Sequence, residues 1–183
     1  NFKVYDILSS LIPGFLGLFV LIHVLDLKYD KDLIIAYTAL AFLLGYLIST
    51  IGSWLEDFYF LTWGGKPSNN LIEGKDIWKV RFYHANEVKE KLTLEFPAAK
   101  NNNQLFSVAM RHANGEERVD TFNAYYAFSR AILTTVLLGT VILLITNYDN
   151  IRYYLVLLPI LFFTWLRCKQ RAFYYAKEVL TVY

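Results

Sequence analysis

The residue types that could do chemistry are few in this chain, and they are scattered. The three histidines, His23, His84 and His112, never fall at paired-ligand spacing, and no H-E-x-x-H occurs. The single cysteine, Cys168, can neither close an intrachain disulfide nor build a zinc site alone. Its neighbours Arg167 and Lys169 would favour a thiolate, but an interfacial thiol without a reactive role is the simpler expectation. Gly64-Gly65-Lys66-Pro67-Ser68 has the look of a phosphate loop. It lacks the upstream glycine at the required spacing and places Pro67 after the lysine, so a surface turn is expected. No long apolar run contains an acid, which argues against an intramembrane proton relay or carboxylate ion site. The expectation is therefore no enzyme, no catalytic set, no metal and no cofactor.

Small residues and charges carry more. Gly45, Ser49 and Ser53 recur at intervals of four, and Ser10 and Gly14 repeat that spacing. Such stripes let helix backbones approach closely. They predict helix packing within one subunit, or a subunit interface or pore-facing surface. Ser9, Thr38, Thr50, Thr134, Thr135 and Thr140 add hydroxyls that more often bond their own backbone than line water. Glu56 and Asp57 stand at the end of one apolar run, Arg130 opens another and Arg167 closes a third. Acids are disfavoured at a helix C-terminus, so pairing of these four charges at one membrane depth is weighed equally against independent snorkelling.

These residues need elements to hold them. Of 183 residues 56% are hydrophobic and only 19% charged, against about 45–50% and about 25% in soluble domains. That excess points to a membrane protein and excludes disorder, a collagen-like chain and a disulfide-stapled module. The net charge of +2 gives no argument for sequence-specific nucleic-acid binding. Four charge-free runs follow: 7–25, 33–55, 131–148 and 153–166, of 19, 23, 18 and 14 residues. A bilayer core needs roughly 20 apolar helical residues. The fourth run is short, but Arg152 and Arg167 can snorkel to extend it, and Pro159 is tolerable in lipid. Full spanning is favoured over a half-inserted hairpin. The first run lacks a basic leader and a small-x-small cleavage site, so a retained helix kinked at Ile12-Pro13-Gly14 is expected.

The predicted fold is all-α, with four transmembrane helices and a largely helical cytoplasmic segment between the second and third. The organisation is 1–55 with the first two spans, 56–123 cytoplasmic, 124–166 with the last two spans, and 167–183 a cytoplasmic tail. Positive charge sets the orientation. Ten Lys/Arg between 56 and 130, four in the tail and Lys3 fall on one side, against Lys28, Lys31 and Arg152 on the other. Both termini are thus expected in the cytoplasm. Asp26, Asp30, Asp32 and Asp149 then lie outside, a slight acidic excess of the kind that attracts cations. Within the middle segment, most of 75–96 reads as helix, with strand an option at 92–96. Residues 104–113 read as a short helix ended by Asn114-Gly115. From Glu116 a helix can run unbroken into the third span. Aromatics such as Trp63, Tyr125, Tyr153 and Trp165 cluster where headgroups are expected.

One resemblance emerges. Tyr5-Asp6-Ile7-Leu8-Ser9 leads into Ile12-Pro13-Gly14-Phe15, and the second span holds Leu43-Leu44-Gly45-Tyr46 and ends Gly52-Ser53-Trp54-Leu55-Glu56. Gly65-Lys66-Pro67-Ser68 follows, then Phe122-Asn123-Ala124-Tyr125-Tyr126 before the third span. In layout this resembles small bacterial membrane proteins similar to transmembrane effectors of anti-phage systems, the Hailong type among them. The resemblance implies a homo-oligomeric ion channel in the bacterial inner membrane. It also implies regulation by a cytosolic nucleotidyltransferase or its nucleotide product. The competing expectation is a membrane anchor or sensor that recruits a cytosolic partner protein. A membrane enzyme ranks last, because no catalytic set is visible.

Overall fold

The computed structural model of the chain describes residues 4–77 and 79–183, with side chains from Ser9 onward. Lys3, counted above with the cytoplasmic charges, and the side chains of Tyr5, Asp6, Ile7 and Leu8 lie outside the described residues. The fold is all-α: 79% is helical and no strand occurs among the described residues. The helices are α1 (Val4–Val24), α2 (Ile34–Trp54), α3 (Glu56–Thr62), α4 (Pro67–Ile72), α5 (Ala85–Glu95), α6 (Asn102–His112), α7 (Glu117–Thr146) and α8 (Ile151–Val182). A single 3-10 turn, Lys31–Leu33, precedes α2, with the Asp30 side chain accepting from the Asp32 amide at 2.9 Å. Among the described residues, three stretches are long and apolar enough to cross a membrane: Lys31–Trp54, Glu117–Thr146 and Ile151–Val182. α1 is apolar over Ser9–Val24 as well. The short fourth run, 153–166, is the interior of the 32-residue α8, with Pro159 inside it.

The chain divides into two compact units, and α7 and α8 contribute residues to both. The first comprises the chain up to Leu55 together with Ala127–Cys168. Many of its buried positions are small: Gly14, Ala41, Gly45 and Gly52 lie inside with the hydroxyls of Thr134 and Thr135, and Ile48 and Leu133 join them. Its large apolar side chains point outward, Ile35 at 83% exposure and Phe19 at 72%. Water does not tolerate such a surface over a whole unit; lipid does.

The second unit comprises Glu56–Tyr126 and Lys169–Tyr183. It has a conventional core, in which Leu71, Ile72, Leu92 and Leu105 pack with Phe173 and Leu180. At roughly 70 residues a segment is small for a core of its own, and the chain supplies the remainder from 169–183. The stretch read as a tail is therefore helix and core. Phe173 and Val179 are fully buried, and Glu178, also buried, accepts from Arg118 Nε at 2.8 Å.

Two local expectations change. Residues 75–77 and 79–84 are not helix. Gly74 takes a positive φ of 70°, the Asp76 carboxylate accepts the Phe82 amide at 2.9 Å, and Ile77 and Val80 exchange backbone hydrogen bonds. An Asp side chain that satisfies a backbone donor locally competes with the helix ladder. Of residues 92–96, open to strand, 92–95 are the end of α5 and Phe96 is its C-cap. Ala85, Val88 and Leu92 recur at helical spacing toward the core, and Thr93 returns its hydroxyl to the Lys89 carbonyl. Asn101 caps α6, accepting from the Gln104 amide at 3.0 Å, and Gly115 with φ 89° follows its end.

Candidate functional site

In the first unit the sequence-predicted small residues divide. Gly14 and Gly45 sit where α1 crosses α2. A Cβ at Gly14 would lie 1.7 Å from the Ala41 carbonyl oxygen, and one at Gly45 1.8 Å from that of Ser10. Ser10, Gly14 and Gly45 are thus brought together in one seam. Ser49 is half-buried and Ser53 exposed. The buried line on α2 is Ala41, Gly45, Ile48 and Gly52, and a Cβ on Gly52 would meet Thr134 Oγ1 at 2.7 Å. Steps of four residues drift about 40° per step around a helix of 3.6 residues per turn. The 4-3-4 spacing that stays on one face was the available signal, and Gly52 was the residue it would have found.

The hydroxyls mostly bond their own helices: Thr38, Thr50, Thr134 and Thr135 each donate to the carbonyl four residues earlier, at 2.9 to 3.1 Å. Thr140 Oγ1 is buried without a hydrogen-bond partner among the described residues. Ser53 donates to the Ser49 carbonyl at 3.1 Å and accepts from Arg130 at 3.0 Å. His23 and Tyr153 meet at 3.4 Å, which puts the α1–α2 loop and the α7–α8 turn at one end of this unit. Asp26, Asp30, Asp32 and Asp149 are all exposed there. Cys168 is fully buried, and this removes the reactive-thiol option.

In the second unit, Glu56 accepts a hydrogen bond from the Tyr126 hydroxyl. Asp57 pairs with Lys66 at 3.5 Å, and Lys66 also lies 5.8 Å from the centre of the Phe60 ring. Arg167 belongs to the first unit and is exposed. The segment read as a turn, 64–70, runs into α4 with Pro67 at its first turn, where a missing N–H costs nothing. Between these elements lies a cavity of about 330 Å³ lined by Glu56, Lys66, Tyr126 and Tyr175 among others. Sequence reasoning placed Glu56 at a membrane boundary and missed the cavity, because its walls come from separated segments of the chain.

A second cluster gathers around Tyr183. Its hydroxyl donates to Glu95, its carbonyl accepts from Lys91 at 2.9 Å, and its ring meets His112 edge-on at 5.2 Å. Burial, then the bond to Glu95, pushes the Tyr183 phenol up to about 12. The Lys75 ammonium at 2.7 Å holds the exposed Glu73 carboxyl below its ordinary range. No cluster of three or more potential metal ligands occurs among the described residues.

Fold and site together define an all-α chain with, among the described residues, three helices long and apolar enough to cross a membrane, and a second, charged helical unit. No protein-family model, curated protein or solved structure matches this chain.

Proposed function

We propose that the chain forms an oligomeric channel or pore-forming effector in the bacterial inner membrane, gated from the cytoplasm. The observation that carries this reading is α8. Only 6% of its apolar window is buried within the chain, and Leu155, Val156 and Phe163 are more than half exposed. A handful of spans in one chain cannot easily enclose a wet pore, so several copies must. In this reading all four apolar helices span and the second unit, which holds most of the chain's Lys and Arg, lies inside. Asp26, Asp30, Asp32 and Asp149 ring the outer mouth with a weak preference for cations. The resemblance to anti-phage effectors, and with it regulation by a nucleotidyltransferase or its product, belongs to the same proposal.

The second reading, an anchor that recruits a cytosolic protein, is favoured by the exposed Tyr83 and Leu94 on the second unit, at 78% and 76%. Purified protein in planar bilayers separates the two. Discrete conductance steps and a multimeric cross-linking ladder are expected of the channel. Single-copy behaviour without conductance or depolarisation of expressing cells removes it. Reporter fusions test the topology: after Asn150 they should read periplasmic, and after Asn102 cytoplasmic.

A further inference from the structure

The apolar stretch Lys31–Trp54 is followed almost at once by α3, with only Leu55 between them. Leu55 keeps a helical backbone, φ -80° and ψ -3°, and its amide still bonds the Ile51 carbonyl at 2.9 Å. At up to about 3.6 Å per residue, covalent reach holds Phe58 within about 14 Å of Trp54. α3 has seven residues and so is about 10 Å long. The headgroup layer on each side of a bilayer core is roughly 5–8 Å deep. A helix this short stays in that layer if it lies along it, and leaves it if it stands upright.

The side chains of α3 choose between these. Tyr59 and the following Trp63 are buried, at 2% and 4% exposure, whereas Phe58 and Leu61 are 54% and 77% exposed. On a helix of 3.6 residues per turn the exposed pair lies within about 60° of each other and about 150° from the buried pair. Asp57 and Thr62 flank it. Asp57 is matched by Lys66 at 3.5 Å, and Thr62 donates its hydroxyl to the Tyr59 carbonyl at 2.7 Å. An apolar centre with partnered polar edges suits a helix lying at a headgroup layer. Trp63 does not serve as the anchor there: its indole N–H is buried without a hydrogen-bond partner among the described residues, and an anchoring tryptophan keeps that group wet.

We propose that α3 lies in the headgroup layer of the bilayer that α2 crosses, with Phe58 and Leu61 inserted among the lipids. The occupant of this face is lipid because the chain arrives there directly from an apolar stretch of spanning length. A second copy of the chain fits less well. Two side chains offer at most a few hundred Å², well short of the about 800 Å² per partner of a stable protein complex. The inference rests on the reading that α2 spans, and goes beyond it in naming the residues that hold the helix after it.

The test places a nitroxide on single cysteines of the full chain, in a Cys168→Ala background and phosphatidylcholine vesicles. Collisions with oxygen, which concentrates in lipid, are compared with collisions with a water-soluble nickel chelate. Phe58→Cys and Leu61→Cys are expected to favour oxygen several-fold more than Tyr83→Cys and Leu94→Cys, positions 78% and 76% exposed on the same unit. Leu43→Cys, within α2 and 55% exposed, reads the span alone. The proposal is overturned if labels at Phe58 and Leu61 read like those at Tyr83 and Leu94. It is also overturned if their spectra broaden between copies and sharpen on dilution with unlabelled chain, which would make a second copy the occupant. A lipid-deep Leu43 beside aqueous Phe58 and Leu61 keeps the span and removes this contact; an aqueous Leu43 beside lipid-exposed Phe58 and Leu61 does the reverse. Should Cys168→Ala disturb folding, Phe58→Trp retains the cysteine. Bromine high on the acyl chains should then quench the added emission more than bromine at the chain ends, and no added quenching from either overturns the proposal.

Discussion

The two units of this chain bury opposite things. The first hides glycine, alanine and threonine and shows the bulk of its leucine, isoleucine and phenylalanine. The second hides Leu71, Ile72, Tyr59 and Phe173 and shows its charges. The difference follows from the surrounding medium. In lipid no hydrophobic drive gathers large side chains, so contact is made where small residues let backbones approach. In water the gain comes from removing large apolar area, about 25 cal/mol per Å². One chain thus uses two packing rules, and substitutions of opposite kind should damage the two units.

The largest effect is expected from truncation in the second unit. Phe173 is fully buried at the join between 169–183 and the middle segment. Phe173→Ala should cost about 3–5 kcal/mol by loss of burial and creation of a cavity. Pulse proteolysis of the purified protein should show cleavage within 56–126 rising steeply, while helices of the first unit stay protected. Equal protection of both units would mean that the tail contributes no core.

In the first unit the damaging change is enlargement. Gly45→Leu drives a side chain into the Ser10 carbonyl, which is backbone and cannot swing away. Overpacking typically costs about 1–3 kcal/mol, and here the clash is the harder kind. Ser49→Leu, a neighbour on α2 that is only half-buried, should cost less. Melting curves in detergent check the pair. If Ser49→Leu proves the more harmful, the stripe at intervals of four is the true contact and the 4-3-4 line is not.

This contrast shows what the sequence made legible. The apolar runs announced the long apolar helices because roughly twenty successive charge-free residues suit a helix of bilayer-spanning length. Gly14 and Gly45 announced a seam because small residues at helical spacing mark places where backbones meet. Gly52 was lost to a stripe drawn in strict fours. The role of 169–183 was hidden because Phe173, Ala176 and Leu180 read as the end of a basic tail until 56–126 is present to be covered. The cavity was hidden for a related reason: Glu56, Ser107, Tyr126 and Tyr175 come together only through tertiary packing, and no local pattern relates them.

The smallest effect sharpens how 169–183 is held at its end. Tyr183 faces Glu95, Lys91 and His112, and its phenol is pushed up to about 12 by burial and by the bond it donates to Glu95. An unfolded tyrosine titrates near 10. Between those values the folded chain holds a proton that the unfolded chain has released. Stability from this group is therefore complete below about pH 10 and is lost as pH rises toward 12. Tyr183→Phe removes the titrating hydroxyl but keeps the ring against His112 and the carbonyl for Lys91. Every other titrating group is common to the two proteins, so the difference between them isolates the phenol. The two unfolding curves should lie a small, constant distance apart up to about pH 10 and converge above it. A gap that stays constant to pH 12 would mean that the hydroxyl makes no bond that depends on its proton, and that 169–183 is held by its buried side chains alone.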